Sequence, residues 1–129
     1  MILSLELVVQ ITTHASACLP EEACGLIGGT QGRAVIALPI TNELHSPVRF
    51  RMDPAEQLQA FLQFESQGLD LLAIYHSHPN GPPHPSPTDI EEFLYPGVLY
   101  LILSPGPSGW QVREFEHQGG IFVPTQTHK

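Results

Sequence analysis

Apolar and polar positions change period several times along the chain, and each change marks an element. Leu7, Ile11 and Ala15, with Val8 beside them, recur at helical spacing until Pro20 stops the helix, and ahead of them Leu3–Leu5 predicts a short strand. Cys24–Gly28 and Ala34–Ile40 are short apolar runs separated by the turn signal Gln31-Gly32, which predicts a hairpin. Asp53-Pro54 opens the clearest helix: Asp53 suits the N-cap, Pro54 the first turn and Glu56 the capping-box position, with Leu58, Phe61 and Leu62 as its apolar face and Gly68 as its stop. Leu69–Ser77 has the length and apolar character of a strand buried on both faces. Pro79, Pro82, Pro83, Pro85 and Pro87 then make His78–Pro87 a stiff loop. Ser86-Pro87-Thr88-Asp89 predicts a helix start, with Ile90, Phe93 and Leu94 on one face and Pro96-Gly97 as its end. Val98–Leu103, Trp110–Phe115 and Ile121–Val123 complete the strands, separated by Pro- and Gly-rich turns. The pattern predicts one α/β domain over residues 1–129, a layered mixed sheet of about six strands with about three helices.

Composition narrows the function. Five Lys plus Arg against thirteen Asp plus Glu give a net charge of −8, and no basic stripe offsets it, so nucleic acid is not an expected partner. The only lysine is Lys129, which removes P-loop and Schiff-base chemistry. The apolar start lacks the basic region of a signal peptide, and Val98–Leu103 is far too short to cross a bilayer, so no membrane is expected and the cytoplasm is the expected location. Cys18 and Cys24 match no disulfide framework or zinc knuckle and read as free thiols, with Cys24 as a small core residue in preference to a nucleophile.

The segment that departs from a bland domain is His76-Ser77-His78, followed after the proline loop by Asp89. Residues i and i+2 of a strand share a side, about 6.7 Å apart at Cα, so both imidazoles can converge on one ion. Asp89 can return over the strand end as a third, harder ligand, leaving a fourth position for water, as in catalytic zinc sites. Each piece also has a plainer role: paired surface histidines on an edge strand, and a Ser86–Asp89 capping box. The capping and metal-ligand readings are compatible, because a capping carboxylate keeps a second oxygen for metal. A hydrolase of this kind also needs a carboxylate to move the proton of the attacking water, and Glu21 and Glu22 are both candidates.

Pro20-Glu21-Glu22-Ala23-Cys24-Gly25-Leu26, Tyr75-His76-Ser77-His78-Pro79 and Pro85-Ser86-Pro87-Thr88-Asp89 together resemble the JAMM (JAB1/MPN/Mov34) metalloprotease motif, and the resemblance extends over essentially the whole chain. It implies a JAB/MPN-like fold with one Zn²⁺ on His76, His78 and Asp89, Glu22 as general acid/base, and Ser86 steadying the tetrahedral intermediate. Asn42 falls where similar proteins often carry an Asn near the site, and His84 has no place in the motif. The short stretch between Glu22 and His76 leaves no room for the segments by which eukaryotic relatives grip polyubiquitin. The resemblance is therefore to the compact prokaryotic branch, which implies a zinc metallopeptidase or isopeptidase cutting after the C-terminal Gly-Gly of a ubiquitin-like or sulfur-carrier protein. The alternative is a non-catalytic MPN-type protein-binding scaffold, which has no need of Glu22, His76, His78, Ser86 and Asp89 together. A zinc nucleobase deaminase is excluded by the absence of H-x-E with P-C-x-x-C. The sequence leaves the oligomeric state open.

Overall fold

Ser4 decides how the chain begins. In the computed structural model, which describes residues 1–92, 95 and 97–128 (residue 91 by its backbone alone), the Ser4 hydroxyl accepts from the Leu7 amide at 3.3 Å and caps α1 (Leu5–Cys18). The expected strand Leu3–Leu5 is therefore absent: Ile2 makes isolated bridges to Arg33 and His128, Leu3 is buried, and Leu5 already belongs to the helix. Leu7, Ile11 and Ala15 form the buried face of α1, as their spacing predicts.

The hairpin forms from β1 (Cys24–Thr30) and β2 (Arg33–Ile40), joined by Gln31 at φ 49° and Gly32 at φ 74°. Two consecutive positive φ values are what a two-residue turn needs to match strand twist. In α2 (Pro54–Ser66) the Asp53 side chain accepts from the amides of Ala55 and Glu56. Glu56 does not close the reciprocal half of a capping box, since its carboxylate accepts from the Thr41 amide.

The expected apolar face of α2 is rotated in the structure. Ala60 and Phe64 are the buried residues, while Leu58 is 57% and Leu62 50% exposed. The cause lies on the sheet: Gly28 has no side chain, a β-carbon there would sit 2.6 Å from the Phe64 ring, and that vacancy sets which side of the helix faces inward.

The remaining elements are β3 (Asp70–Ser77), α3 (Pro87–Glu92), β4 (Leu99–Gly106), β5 (Gly109–Gln118) and β6 (Ile121–Thr125). The last three strands run further than the apolar runs suggest, because the β4–β5 ladder continues through Pro105 to the Gly106–Gly109 pair. Phe93, Leu94 and Pro96, expected on the third helix and at its end, lie outside the described residues.

The strands form one mixed sheet in the order β2-β1-β3-β4-β5-β6, with β3 and β4 the parallel pair and the other neighbours antiparallel. Alternation along the central strands divides the core. Ile27, Ala73, Tyr75, Leu101 and Leu103 meet α1, whereas Leu26, Ile74, Tyr100 and Ile102 meet Ala60 and Phe64 of α2. Gly25 leaves space for the Tyr75 ring, whose hydroxyl lies 2.7 Å from Nδ1 of His14 on α1. Burial keeps the phenol protonated and disfavours protonation of His14, so the tyrosine donates and the histidine accepts. That bond pins the reverse side of β3 directly beside His76.

Candidate metal centre

The crossover from β3 to the parallel β4 leaves a crevice beyond the carboxyl end of β3, where ligands bind in open α/β sheets. His76 and Ser77 are the last residues of β3, and the His78 amide is held by the Leu103 carbonyl at 2.8 Å. His76 and His78 therefore point the same way from a buried, internal strand, which excludes the reading as surface histidines on an edge.

Their Nε2 atoms are 2.8 Å apart, and Asp89 Oδ2 lies 3.2 Å from that of His76 and 3.1 Å from that of His78. The proline loop brings Asp89 there through a reciprocal cap: the Ser86 amide donates to Asp89 Oδ2 at 2.8 Å, and the Asp89 amide to Ser86 Oγ at 3.0 Å. The capping role of Ser86 and Asp89 and the convergence on the histidines occur together, but on one oxygen: Oδ2 accepts from the Ser86 amide and faces both imidazoles, where the sequence reading expects the second oxygen to be the one left for metal. Burial would raise the Asp89 carboxyl, but hydrogen bonds from His76, His78 and the Ser86 amide hold it well below the usual carboxylate range. Burial lowers His76. Burial also acts to lower His78, but Asp89 and the Pro82 carbonyl outweigh it and leave it raised.

Glu22 approaches from the start of β1. Its carboxylate is buried, with Oε1 4.0 Å from His76 Nε2. Burial pushes this carboxyl up to about 8, partly offset by the nearby His78 and reinforced by Asp89. Glu21 points away and pairs with His45 at 3.0 Å on the surface, so the structure separates the two candidate carboxylates.

Asn42 is buried and touches the backbone of Glu22 rather than its carboxylate. Its Nδ2 donates to the carbonyls of Glu22 at 3.1 Å and Arg49 at 3.0 Å, and its Oδ1 accepts from the amides of Leu44 and Arg51. Residues 42–51 are thereby folded over Glu22, whose amide donates to the Ser46 carbonyl at 2.8 Å. His84 is exposed, with its Nδ1 3.3 Å from the Pro85 carbonyl, and the structure does not bring it to the cluster.

The donor set fits a metal ion. The Nδ1 of His78 lies 2.7 Å from the Pro82 carbonyl, which only accepts, so Nδ1 carries a proton and Nε2 is the nitrogen left for a metal to take. Two imidazole nitrogens and a carboxylate oxygen at mutual distances of 2.8–3.2 Å converge on one point, which a shared proton fills in the metal-free site and a metal ion would fill in its place. The ligands of a tetrahedral zinc at 2.0–2.1 Å are themselves separated by about 3.4 Å. Glu22, His76 and His78 also offer atoms within 4.8 Å of one another, but Asp89 Oδ2 is nearer to both nitrogens than Glu22 Oε1 is to His76. Among the described residues Glu22 Oε1 has no hydrogen-bond partner, which leaves it available to a bound water.

Two residues at the centre were not singled out from the sequence. Ser77 is buried between the histidines and bonds to Ala23 through both its hydroxyl and its amide. Phe50 stacks on His76 with ring centroids 4.5 Å apart. A hydroxyl inside a buried strand is a sequence signal for the first, because it must find a partner. Phe50 sits in an irregular segment whose path no periodicity reveals. Beside the cluster, Phe50, Met52, Ile74, Tyr95 and Tyr100 line a cleft of about 430 Å³ that Asp89 borders, with Arg49 and Arg51 on its rim paired to Glu92 and Glu43.

The fold is that of a JAB1/MPN domain: the crystal structure of such a protein from Archaeoglobus fulgidus superimposes with a TM-score of 0.62 at 19% identity, covering 100% of both chains. The chain belongs to the family of prokaryotic homologs of the JAB domain, whose model matches residues 4–118. It is 42% identical over 89 residues to the desampylase of Haloferax volcanii, a match covering 67% of this chain and 64% of that protein. It therefore spans slightly less than two thirds of that relative's length. It is 33% identical over 106 residues to the CysO-cysteine peptidase of Mycobacterium tuberculosis, covering 81% of this chain and 73% of that one. A solution structure of a Desulfitobacterium hafniense protein superimposes with a TM-score of 0.89 at 32% identity, covering 98% of this chain and 91% of the other.

Proposed function

We propose that this protein is a zinc-dependent metallopeptidase or isopeptidase that hydrolyses the bond after the C-terminal Gly-Gly of a small ubiquitin-like or sulfur-carrier protein, and that residues 1–129 act as one JAB-type domain. His76, His78 and Asp89 hold about one zinc per chain, Glu22 is the general acid/base, and Ser86 stabilises the tetrahedral intermediate. The observation that carries this reading is the convergence of two imidazole nitrogens and a carboxylate oxygen within 2.8–3.2 Å beside a second buried carboxylate. The family supports the chemistry, and relatives named desampylase and CysO-cysteine peptidase support the substrate class.

Zinc held by these residues would supply Lewis acidity and make a water more acidic. The Glu22 carboxylate would accept a proton from the attacking water and give it to the leaving amine. The Ser86 hydroxyl, whose oxygen already accepts from the Asp89 amide, keeps its hydrogen free to donate to a developing oxyanion. Glycines next to the scissile bond let an extended chain approach ligands that are themselves buried. No described helix is long and apolar enough to cross a membrane. We place the protein in the cytoplasm, where thiols such as those of Cys18 and Cys24 stay reduced.

The test uses fusions of a ubiquitin-like sulfur carrier to a short C-terminal extension, with Gly-Gly or Ala-Val before the junction. Cleavage of the Gly-Gly fusion that is zinc-dependent and lost in Glu22→Gln is expected. Equal cleavage of the Ala-Val fusion, or of unfolded casein, contradicts the specificity; no cleavage of any substrate by zinc-loaded protein contradicts the activity.

A further inference from the structure

A metal-bound histidine is normally aimed by a hydrogen bond from its second ring nitrogen. His78 has one, to the Pro82 carbonyl. His76 does not: its Nδ1 is buried and has no hydrogen-bond partner among the described residues. Rings surround it instead. Phe50 stacks on it at 4.5 Å with planes 27° apart, and Tyr100 lies 4.9 Å away at 39°. The terminal torsion of a histidine is broad and roughly two-fold, so an imidazole without a hydrogen bond keeps its angle only if flat neighbours hold it.

We infer that Phe50 is a positioning residue for the metal centre, and that its ring does for His76 what the Pro82 carbonyl does for His78. Tyr100 is part of a rigid central strand, whereas Phe50 comes from an irregular segment and needs its own support. Asn42 provides it, because one amide side chain holds the carbonyl of Arg49 and the amide of Arg51, the two neighbours of Phe50. The same Asn42 amide holds the Glu22 carbonyl, so the proton-moving carboxylate and the ring that aims His76 share one anchor. The inference rests on His76 being a metal ligand.

The experiment compares wild type, Phe50→Tyr, Phe50→Leu and His76→Ala by zinc competition against a chromophoric chelator and by the visible spectrum of the cobalt-substituted protein. Phe50→Leu keeps apolar bulk but loses the flat face, so zinc affinity should fall about 10- to 100-fold with an altered cobalt spectrum. Phe50→Tyr should match wild type in both. Thermal unfolding of the metal-free proteins confirms that each variant is folded. An unchanged affinity and spectrum in Phe50→Leu, or equal losses in Phe50→Tyr and Phe50→Leu, overturns the positioning role. Wild-type zinc binding by His76→Ala overturns the ligand assignment itself, which separates the two failures.

Discussion

Ala23 and Ser77 close a two-bond ring across the β1–β3 interface: the Ala23 amide donates to Ser77 Oγ at 2.8 Å, and the Ser77 amide to the Ala23 carbonyl at 2.9 Å. One partner follows Glu22 and the other separates the two histidines, so the ring fixes the Glu22 carboxylate relative to the paired imidazoles. Ser77→Ala removes the Ala23 amide's partner in a buried site, at a cost of ~1–3 kcal/mol. A lower unfolding temperature with reduced turnover and retained zinc is expected. Unchanged turnover in the folded variant would show that the ring serves stability alone.

Glu22→Gln should keep zinc and lose at least ~100-fold in turnover, the scale of a missing acid/base group. Glu21→Gln, which removes only a surface pairing with His45, should change little. Paired measurements of zinc content and initial rate check both, and a large loss in Glu21→Gln would transfer the role to that residue.

Ser86→Ala separates two contributions of one hydroxyl. Loss of the cap on α3 should cost ~1 kcal/mol of stability, read by thermal unfolding. Loss of an oxyanion donor should lower turnover about 10²- to 10³-fold with zinc retained. A shift in stability with full turnover leaves Ser86 as a cap only.

Cys24 should be chemically silent. Burial, with smaller effects of Cys18, Glu22 and Glu56, pushes its thiol up to about 12, so the reactive thiolate is scarce at neutral pH and grows about tenfold per pH unit as pH rises toward that value. Iodoacetamide should label Cys24 in the native protein only very slowly at pH 8, and rapidly after unfolding. Cys24→Ala should retain turnover; its loss in a folded variant would revive the nucleophile reading.

What the sequence made legible follows from how local each signal is. The turn at Gln31-Gly32, the Asp53 cap, the Ser86–Asp89 cap and the same-side spacing of His76 and His78 depend on neighbours a few residues away, and all are present in the structure. The choice of Glu22 over Glu21 came from the resemblance, because strand polarity alone does not say which of two adjacent carboxylates faces inward. The rotation of α2 depends on Gly28 of a distant strand, and the stacking of Phe50 on a path fixed by the buried Asn42; neither leaves a periodic trace. Leu3–Leu5 does not form the expected strand because the Ser4 cap competes with a short apolar run, and the cap wins.

The most direct measurement is the zinc content of purified protein by mass spectrometry, for wild type, Asp89→Ala and Glu22→Gln side by side. His76, His78 and Asp89 as ligands predict about one zinc per chain in wild type and Glu22→Gln, and a large loss in Asp89→Ala. Full zinc in Asp89→Ala together with its loss in Glu22→Gln would move the third ligand from Asp89 to Glu22 and contradict the account.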